Sequence, residues 1–207
     1  NGARQPLGDL QSLDAELSAL ASKSMRLLAV ATSEAPIAGQ KTLPHPMTLV
    51  GVVGLRDELR PESHDAVRLA HSAGIHVVMV TGDRHETAHA IAGDVGLLNK
   101  EGALVLTSAQ VEAMSDEDLR EAMPRLTVVS RAYPHTKSRL VKAAQDLGLV
   151  GGMTGDGVND AAALKRSDVG FAMGSGTEVA KEAGDIVILD DNFSSLTRAV
   201  LYGRTLF

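Results

Sequence analysis

From Thr48 onward the sequence alternates short apolar runs with amphipathic stretches, and this alternation limits the fold more than any other feature. The apolar runs predict strands over residues 48–53, 75–81, 126–130, 150–154, 169–173 and 186–189. Between them, helical spacing covers residues 61–72, 85–95, 116–123, 135–147, 159–165 and 177–183. Strand, loop and helix in repetition mean βαβ units, hence an α/β fold with a parallel sheet and helices on both faces. Right-handed crossovers then gather the loops that follow the strands along one edge, where open parallel sheets bind ligands.

The first part of the chain has a different texture. Residues 14–23 have helical spacing through Leu17 and Leu20, and residues 26–32 form a β run. Residues 33–47 carry Pro36, Pro44, Pro46 and Gly39 without periodicity, which reads as a linker and a domain boundary. Residues 1–46 are therefore expected to stand apart from an α/β domain over 47–192. Residues 193–207 read as an amphipathic helix with Leu196, Val200 and Leu201 on one side.

Composition removes several kinds of function. A net charge of -6 argues against a basic face for nucleic acid, and 2% aromatic residues leave little for stacking on bases. With no cysteine there is no disulfide, thiolate zinc site or thiol nucleophile. No apolar run approaches the roughly 18 residues that a membrane helix needs, so the chain itself reads as soluble. Asn1 is not an initiator methionine, and the polar start is not a signal peptide, so the chain reads as a piece of something longer.

Three strand ends carry polar residues suited to one cleft. The run 77–80 leads into Thr81-Gly82-Asp83. The run 126–130 leads into Arg131, with Lys137 at the start of the next helix. The run 150–153 leads into Thr154-Gly155-Asp156-Gly157-Val158-Asn159-Asp160. Two glycines around Asp156 allow a tight turn, and Asp156 and Asp160 can point at one site. Such a pair suits Mg²⁺, which takes one or two carboxylates with phosphate oxygens and water. An Asp-Gly turn with a helix cap is the plainer reading of the same residues.

Thr81-Gly82-Asp83 offers a hydroxyl and backbone N–H groups to an oxyanion, or simply an N-cap. Lys137 in a first helical turn opposes the helix dipole, which suggests an anion nearby; a surface lysine is the alternative. His85 and His89 are four apart on a helix with no third metal ligand evident. Carboxylates, hydroxyl and lysine together suit phosphoryl transfer, which depends on positioning and charge neutralisation. The aspartate nucleophile of such chemistry is not evident. Asp190-Asp191 follows a strand but lacks a small threonine-containing loop, and Asp116 and Asp118 lie in a helical acidic stretch.

At this point four stretches, in order, resemble the P-type cation-transporting ATPases: LVGVVGLRDELR at 49–60, VMVTGDR at 78–84, TGDGVNDAAALKRSDVGFAM at 154–173 and MGSGTEVAKEAGDIVILDDNF at 173–193. SMRLLAVATSE at 24–34 is similar to the last strand of the family's nucleotide-binding domain. The Asp-Asp-Asn-Phe ending resembles the calcium and sodium/potassium branch. The resemblance implies a haloacid-dehalogenase-like Rossmannoid phosphorylation domain whose first strand is missing, preceded by the end of the nucleotide-binding domain and followed by a helix leading toward a membrane segment. The family's Asp-Lys-Thr-Gly-Thr motif, which bears the phosphorylated aspartate, does not occur in this sequence.

By the same resemblance, Asp156 and Asp160 correspond to the Mg²⁺ carboxylates and Lys137 to the lysine facing the transferring phosphoryl group. Thr81, Gly82 and Asp83 correspond to the loop on the γ-phosphate and the later aspartyl-phosphate. Arg26, Arg131 and Asn159 match phosphate- or nucleotide-contacting positions. Asp57 and Arg60 end the interdomain hinge motif, with Glu58-Leu59 in place of the family's two prolines, and Ala162 replaces its usual proline. The implied cofactors are Mg²⁺ and ATP, and the implied partners are ATP and the rest of one pump, of which this is a cytoplasmic part. A soluble haloacid-dehalogenase-type phosphatase and a non-catalytic Mg²⁺- or nucleotide-binding fragment are the alternatives. The phosphatase would need its own Asp-x-Asp near the N-terminus.

Overall fold

The computed structural model describes residues 8–21, 25–34, 44, 46–55 and 58–206. It divides into two compact units, residues 1–58 and 59–207. In the first, helix α1 (Leu10–Ala21) precedes strand β1 (Arg26–Thr32), which pairs antiparallel with β2 (Thr48–Leu55). The run at 48–53 was expected to open the parallel sheet. It instead completes a hairpin: Leu28 faces Val53 and Ala29 faces Val52, and this pairing satisfies its backbone groups. The units therefore divide after Glu58, later than the linker had suggested.

The second unit holds two three-stranded parallel sheets. After α2 (Ser63–Ser72) come β3 (Met79–Val80), α3 (His85–Asp94), β4 (Leu104–Thr107), α4 (Ser108–Ala113), α5 (Asp116–Ala122) and β5 (Leu126–Ser130). The strand order is β3-β5-β4. Then follow α6 (Pro134–Asp146), β6 (Gly152–Gly155), α7 (Ala161–Arg166), β7 (Val169–Met173), α8 (Glu178–Ala183), β8 (Ile186–Ile188) and α9 (Phe193–Leu206), with strand order β6-β7-β8. The α/β class and parallel pairing match the sequence reading. Among the described residues no backbone ladder joins the two sheets. Strand β4 and helix α4 were not expected, because LVLT is short and runs straight into a helix without a turn signal.

β5 lies at the centre of its sheet and is buried along its whole length. Its register with β4 shifts between Leu104 and Val105, so Leu126 and Val129 join one core and Val128 the other. The first core holds Leu106, Val111, Leu119 and Leu140, under α4, α5 and α6; the second holds Val67, Ala88 and Ala92, under α2 and α3. Burial of both faces is what a parallel strand requires, and it encloses Thr127 and Ser130 with the apolar residues, their hydroxyls donating to the Arg125 and Leu106 carbonyls. The second sheet rests on Ala163 and Leu164 of α7 and Ala180 of α8, all fully buried.

Leu126→Ala is expected to destabilise the second unit by about 2–5 kcal/mol through the cavity it leaves. Val50→Ala, at a position 65% exposed in β2, should change stability by less than about 0.5 kcal/mol. Urea denaturation of the two variants checks both.

Candidate phosphoryl-transfer site

Two turns, one after the edge strand β3 and one after the edge strand β6, carry the candidate residues. After β3, Thr81 donates its hydroxyl to Asp83 Oδ2 at 3.0 Å and accepts the Asp83 N–H at 3.1 Å. This closed turn is then sewn to the end of β5. The Arg131 N–H donates to the Asp83 carbonyl and the Ala132 N–H to the Thr81 carbonyl, both at 2.9 Å. Arg131 lies in the left-handed region, with φ of 51°. Outside glycine that conformation is costly, and here the bond to Asp83 holds it. Arg131 is exposed, as are Gly82 and Asp83. His85 places Nδ1 3.3 Å from Ser130 Oγ.

The second turn follows β6. Asp160 is buried, at 6% exposure. Its Oδ2 accepts the backbone N–H groups of Asp156 and Gly157, each at 3.2 Å, and its Oδ1 accepts from Lys137 Nζ at 2.5 Å. Burial pushes the Asp160 carboxyl upward, but the hydrogen bond and charge of Lys137 and the two backbone donors outweigh it, leaving its pKa below the ordinary carboxylate value. Asp156 contrasts with it. Its side chain is exposed and has no hydrogen-bond or ion-pair partner among the described residues. Asn159 is exposed beside it.

Two glycines make this turn possible: Gly155, already expected to allow a tight turn, and Gly176, to which sequence reasoning gave no role. A Cβ on Gly155 would lie 2.4 Å from Asp160 Cβ, so only a bare Cα leaves room for the inturned carboxylate. A Cβ on Gly176, in the loop after β7, would lie 2.8 Å from the Asp156 carbonyl. Next to it, the Thr177 N–H donates to that carbonyl at 2.8 Å and the Thr177 hydroxyl caps α8. The Gly-Ser-Gly-Thr string was visible after a strand; its contact with Asp156 was not.

The structure thus joins Lys137 to Asp160, Asp160 to the Asp156 backbone, and Thr81-Asp83 to Arg131. Among the described residues no hydrogen bond or ion pair links the Thr81 turn directly to the Asp156 turn. Both are reached from the segment that leaves β5 and enters α6, with Arg131 just after the strand and Lys137 in the helix's first turn. Arg26 belongs to the first unit, and its side chain, like the whole of Asp57, lies outside the described residues. Arg60 is exposed. The other aspartates considered as nucleophiles have structural partners. Asp116 binds Arg139 at 2.9 Å, Asp118 caps α5 with Ser115, Asp190 accepts the Ser195 hydroxyl, and Asp191 accepts the Ser175 N–H.

As a hard-oxygen set, Asp156 and the remaining lone-pair capacity of Asp160 fit Mg²⁺, provided that phosphate and water complete the shell. No group of three or more His, Cys, Asp or Glu side chains is disposed to hold a metal among the described residues. A cation here would accordingly be shared with an anionic substrate.

A family model described as haloacid dehalogenase-like hydrolase matches residues 10–168, and a second of the same description matches residues 153–200. Calcium-transporting ATPase 1 of Lactococcus lactis is 40% identical over 202 residues, which cover 95% of this chain and 23% of that protein. The sodium/potassium exporting P-type ATPase cta3 of Schizosaccharomyces pombe is 40% identical over 222 residues, covering 100% of this chain and 21% of that protein. The chain thus spans less than a quarter of either relative's length. A crystal structure of a zinc-transporting PIB-type ATPase in the E2.Pi state has the same fold, with a TM-score of 0.63 at 24% identity over 92% of this chain and 26% of that one.

Because the folded Asp160 pKa is depressed, its contribution to stability is present above the unfolded value of about 3.9 and is lost as pH falls through the folded value. Asp160→Asn should flatten this acid limb in urea unfolding measured at a series of pH values. Gly176→Ala should destabilise the second unit by about 1–3 kcal/mol, since backbone atoms meet the added methyl, and thermal melting checks it.

Proposed function

The chain belongs to the haloacid dehalogenase-like hydrolase family, and on that premise we propose that it is a cytoplasmic catalytic part of an ATP-driven P-type cation pump. In this reading ATP phosphorylates an aspartate of the parent protein that lies outside this sequence, and domain movement about the Asp57–Arg60 hinge couples hydrolysis to transport. The observation that carries it is the Gly155–Asp160 turn, where one carboxylate is buried on Lys137 and the other is left open at the same strand end. The curated relatives named above support the cation-pump reading, and the Asp190-Asp191-Asn192-Phe193 ending favours the calcium or sodium/potassium branch. Among the described residues no helix is long and apolar enough to cross a membrane, so transport itself is assigned to the rest of the parent.

Each residue has a role in this reading. Asp156, with Asp160 behind it, would hold Mg²⁺, which when bound neutralises phosphate charge. Lys137 turns its ammonium from Asp160 toward the phosphoryl oxygens, where a fixed cation acts without reorganisation. Thr81 and the Gly82 N–H orient the phosphoryl group, with Asp83 holding the Thr81 turn, while Arg131 and Asn159 hold the remaining phosphates or the nucleotide. Arg26 contacts phosphate from the nucleotide-binding side.

The occupied state of Asp116, Asp118, Asp190 and Asp191 favours a nucleophile elsewhere over a self-sufficient phosphatase. Purified chain incubated with Mg²⁺ and labelled ATP should therefore give no phosphoenzyme, and with a generic phosphomonoester no steady turnover. Either product would favour the phosphatase alternative. In the full-length parent, Asp156→Asn should lower Mg²⁺-dependent phosphoenzyme formation by roughly a hundredfold or more, as loss of a principal electrostatic group does. Normal phosphoenzyme levels would remove the metal assignment.

A further inference from the structure

We propose that Thr136, held by Ser108 and Glu112, is a positioning residue that sets the direction of Lys137. The inference rests on the reading of Lys137 as the site's phosphoryl-facing cation. Helix α6 starts without a side-chain cap. Pro134 follows its N-cap, Tyr133, and no acidic residue lies in the first turn. Lys137 itself sits in that turn, where the helix dipole disfavours a cation. Pro134 pre-sets the backbone of the first turn, but local sequence does not fix which way that turn faces.

Long-range polar contacts do it instead. Thr136 is fully buried, and its hydroxyl donates to Glu112 Oε1 at 2.8 Å. A carboxylate only accepts, so the single Thr136 proton goes to Glu112, and Ser108, also buried, donates to Thr136 Oγ1 at 2.7 Å. One turn on, Arg139 donates to the Val111 and Met114 carbonyls at the end of α4, each at 2.7 Å, and to Asp116. These bonds define the rotation of α6 about its axis in a way that apolar contact does not. Neighbouring residues on a helix are turned by about 100°, so fixing Thr136 against α4 directs Lys137 away from α4, to Asp160.

The bland role for Thr136 is general stability, and the test separates the two. Limiting acetylation of the purified chain, quantified by mass spectrometry, gives the labelling rate of Lys137 relative to Lys181 and Lys142. The Lys137 side chain is 13% exposed and ion-paired, whereas Lys142 is 48% exposed. Thr136→Val should raise the relative rate of Lys137 by about fivefold, the factor equivalent to one hydrogen bond. Thr136→Ser, which keeps the hydroxyl, should restore the wild-type ratio. Equal changes at all lysines, or no change at Lys137 in a folded Thr136→Val protein, would overturn the proposal. Should Thr136→Val fail to fold by circular dichroism, Ser108→Ala decides by the same criterion. The labelling involves no nucleotide, so failure of phosphorylation in the parent with a positive labelling result would remove the catalytic reading and leave the positioning intact.

Discussion

The ion pair between Lys137 and Asp160 is the contact on which the arrangement of the second unit turns. The two sheets share no backbone ladder among the described residues, so the geometry between their loops depends on side chains and helix packing. Lys137 belongs to the first sheet's last helix, and Asp160 ends the turn after the second sheet's first strand. Burying both charges is expensive, and their attraction compensates only when further hydrogen bonds satisfy the carboxylate. Here two backbone N–H groups do so. A buried pair of this kind is a weak source of stability compared with an apolar contact of the same volume. What it supplies is a direction: a lysine and a turn that must meet at one point.

The sequence announced the architecture through its periodicity. Parallel strands buried on both faces read as near-continuous apolar runs, and Leu126, Val128 and Val129 give that signal in a strand whose Thr127 and Ser130 are buried with them. The same signal misplaced β2. TLVGVVGL is as apolar as a core strand, but Val50, Val53 and Leu55 are about half exposed or more, because the strand pairs antiparallel with β1. Apolar content does not distinguish a parallel partner from an antiparallel one; only the pairing does, and that is a long-range fact. β4 was lost for the opposite reason, being four residues that run directly into a capped helix.

The site was legible where chemistry is concentrated in a few adjacent residues. Gly-Asp-Gly-Val-Asn-Asp, Thr-Gly-Asp and a lysine in a first turn each carry their own physical rationale. Contacts between distant segments were not legible. Gly176 looks like any loop glycine until its bare Cα is found against the Asp156 carbonyl, and Thr136 looks like a helix-surface residue until its hydroxyl is found buried between Ser108 and Glu112. Arg131 gives no warning in sequence of its left-handed backbone, since nothing local requires it; the Asp83 carbonyl does.

The two carboxylates of the Asp156 turn show how one short segment produces two unlike groups. Asp160 is turned inward, and its charge is matched in advance by Lys137 and two N–H dipoles, so it stays ionised in spite of burial. Asp156 is exposed with no side-chain partner among the described residues, and its backbone is fixed by Asp160 on one side and Thr177 on the other. A carboxylate held in place through its backbone keeps its oxygens available to an incoming cation without first breaking an ion pair. Had Lys137 bound Asp156 instead, the outward carboxylate would be closed to a cation until that pair broke. The inturned aspartate therefore leaves the outward one free, and the glycine before it is what makes the inward turn sterically possible.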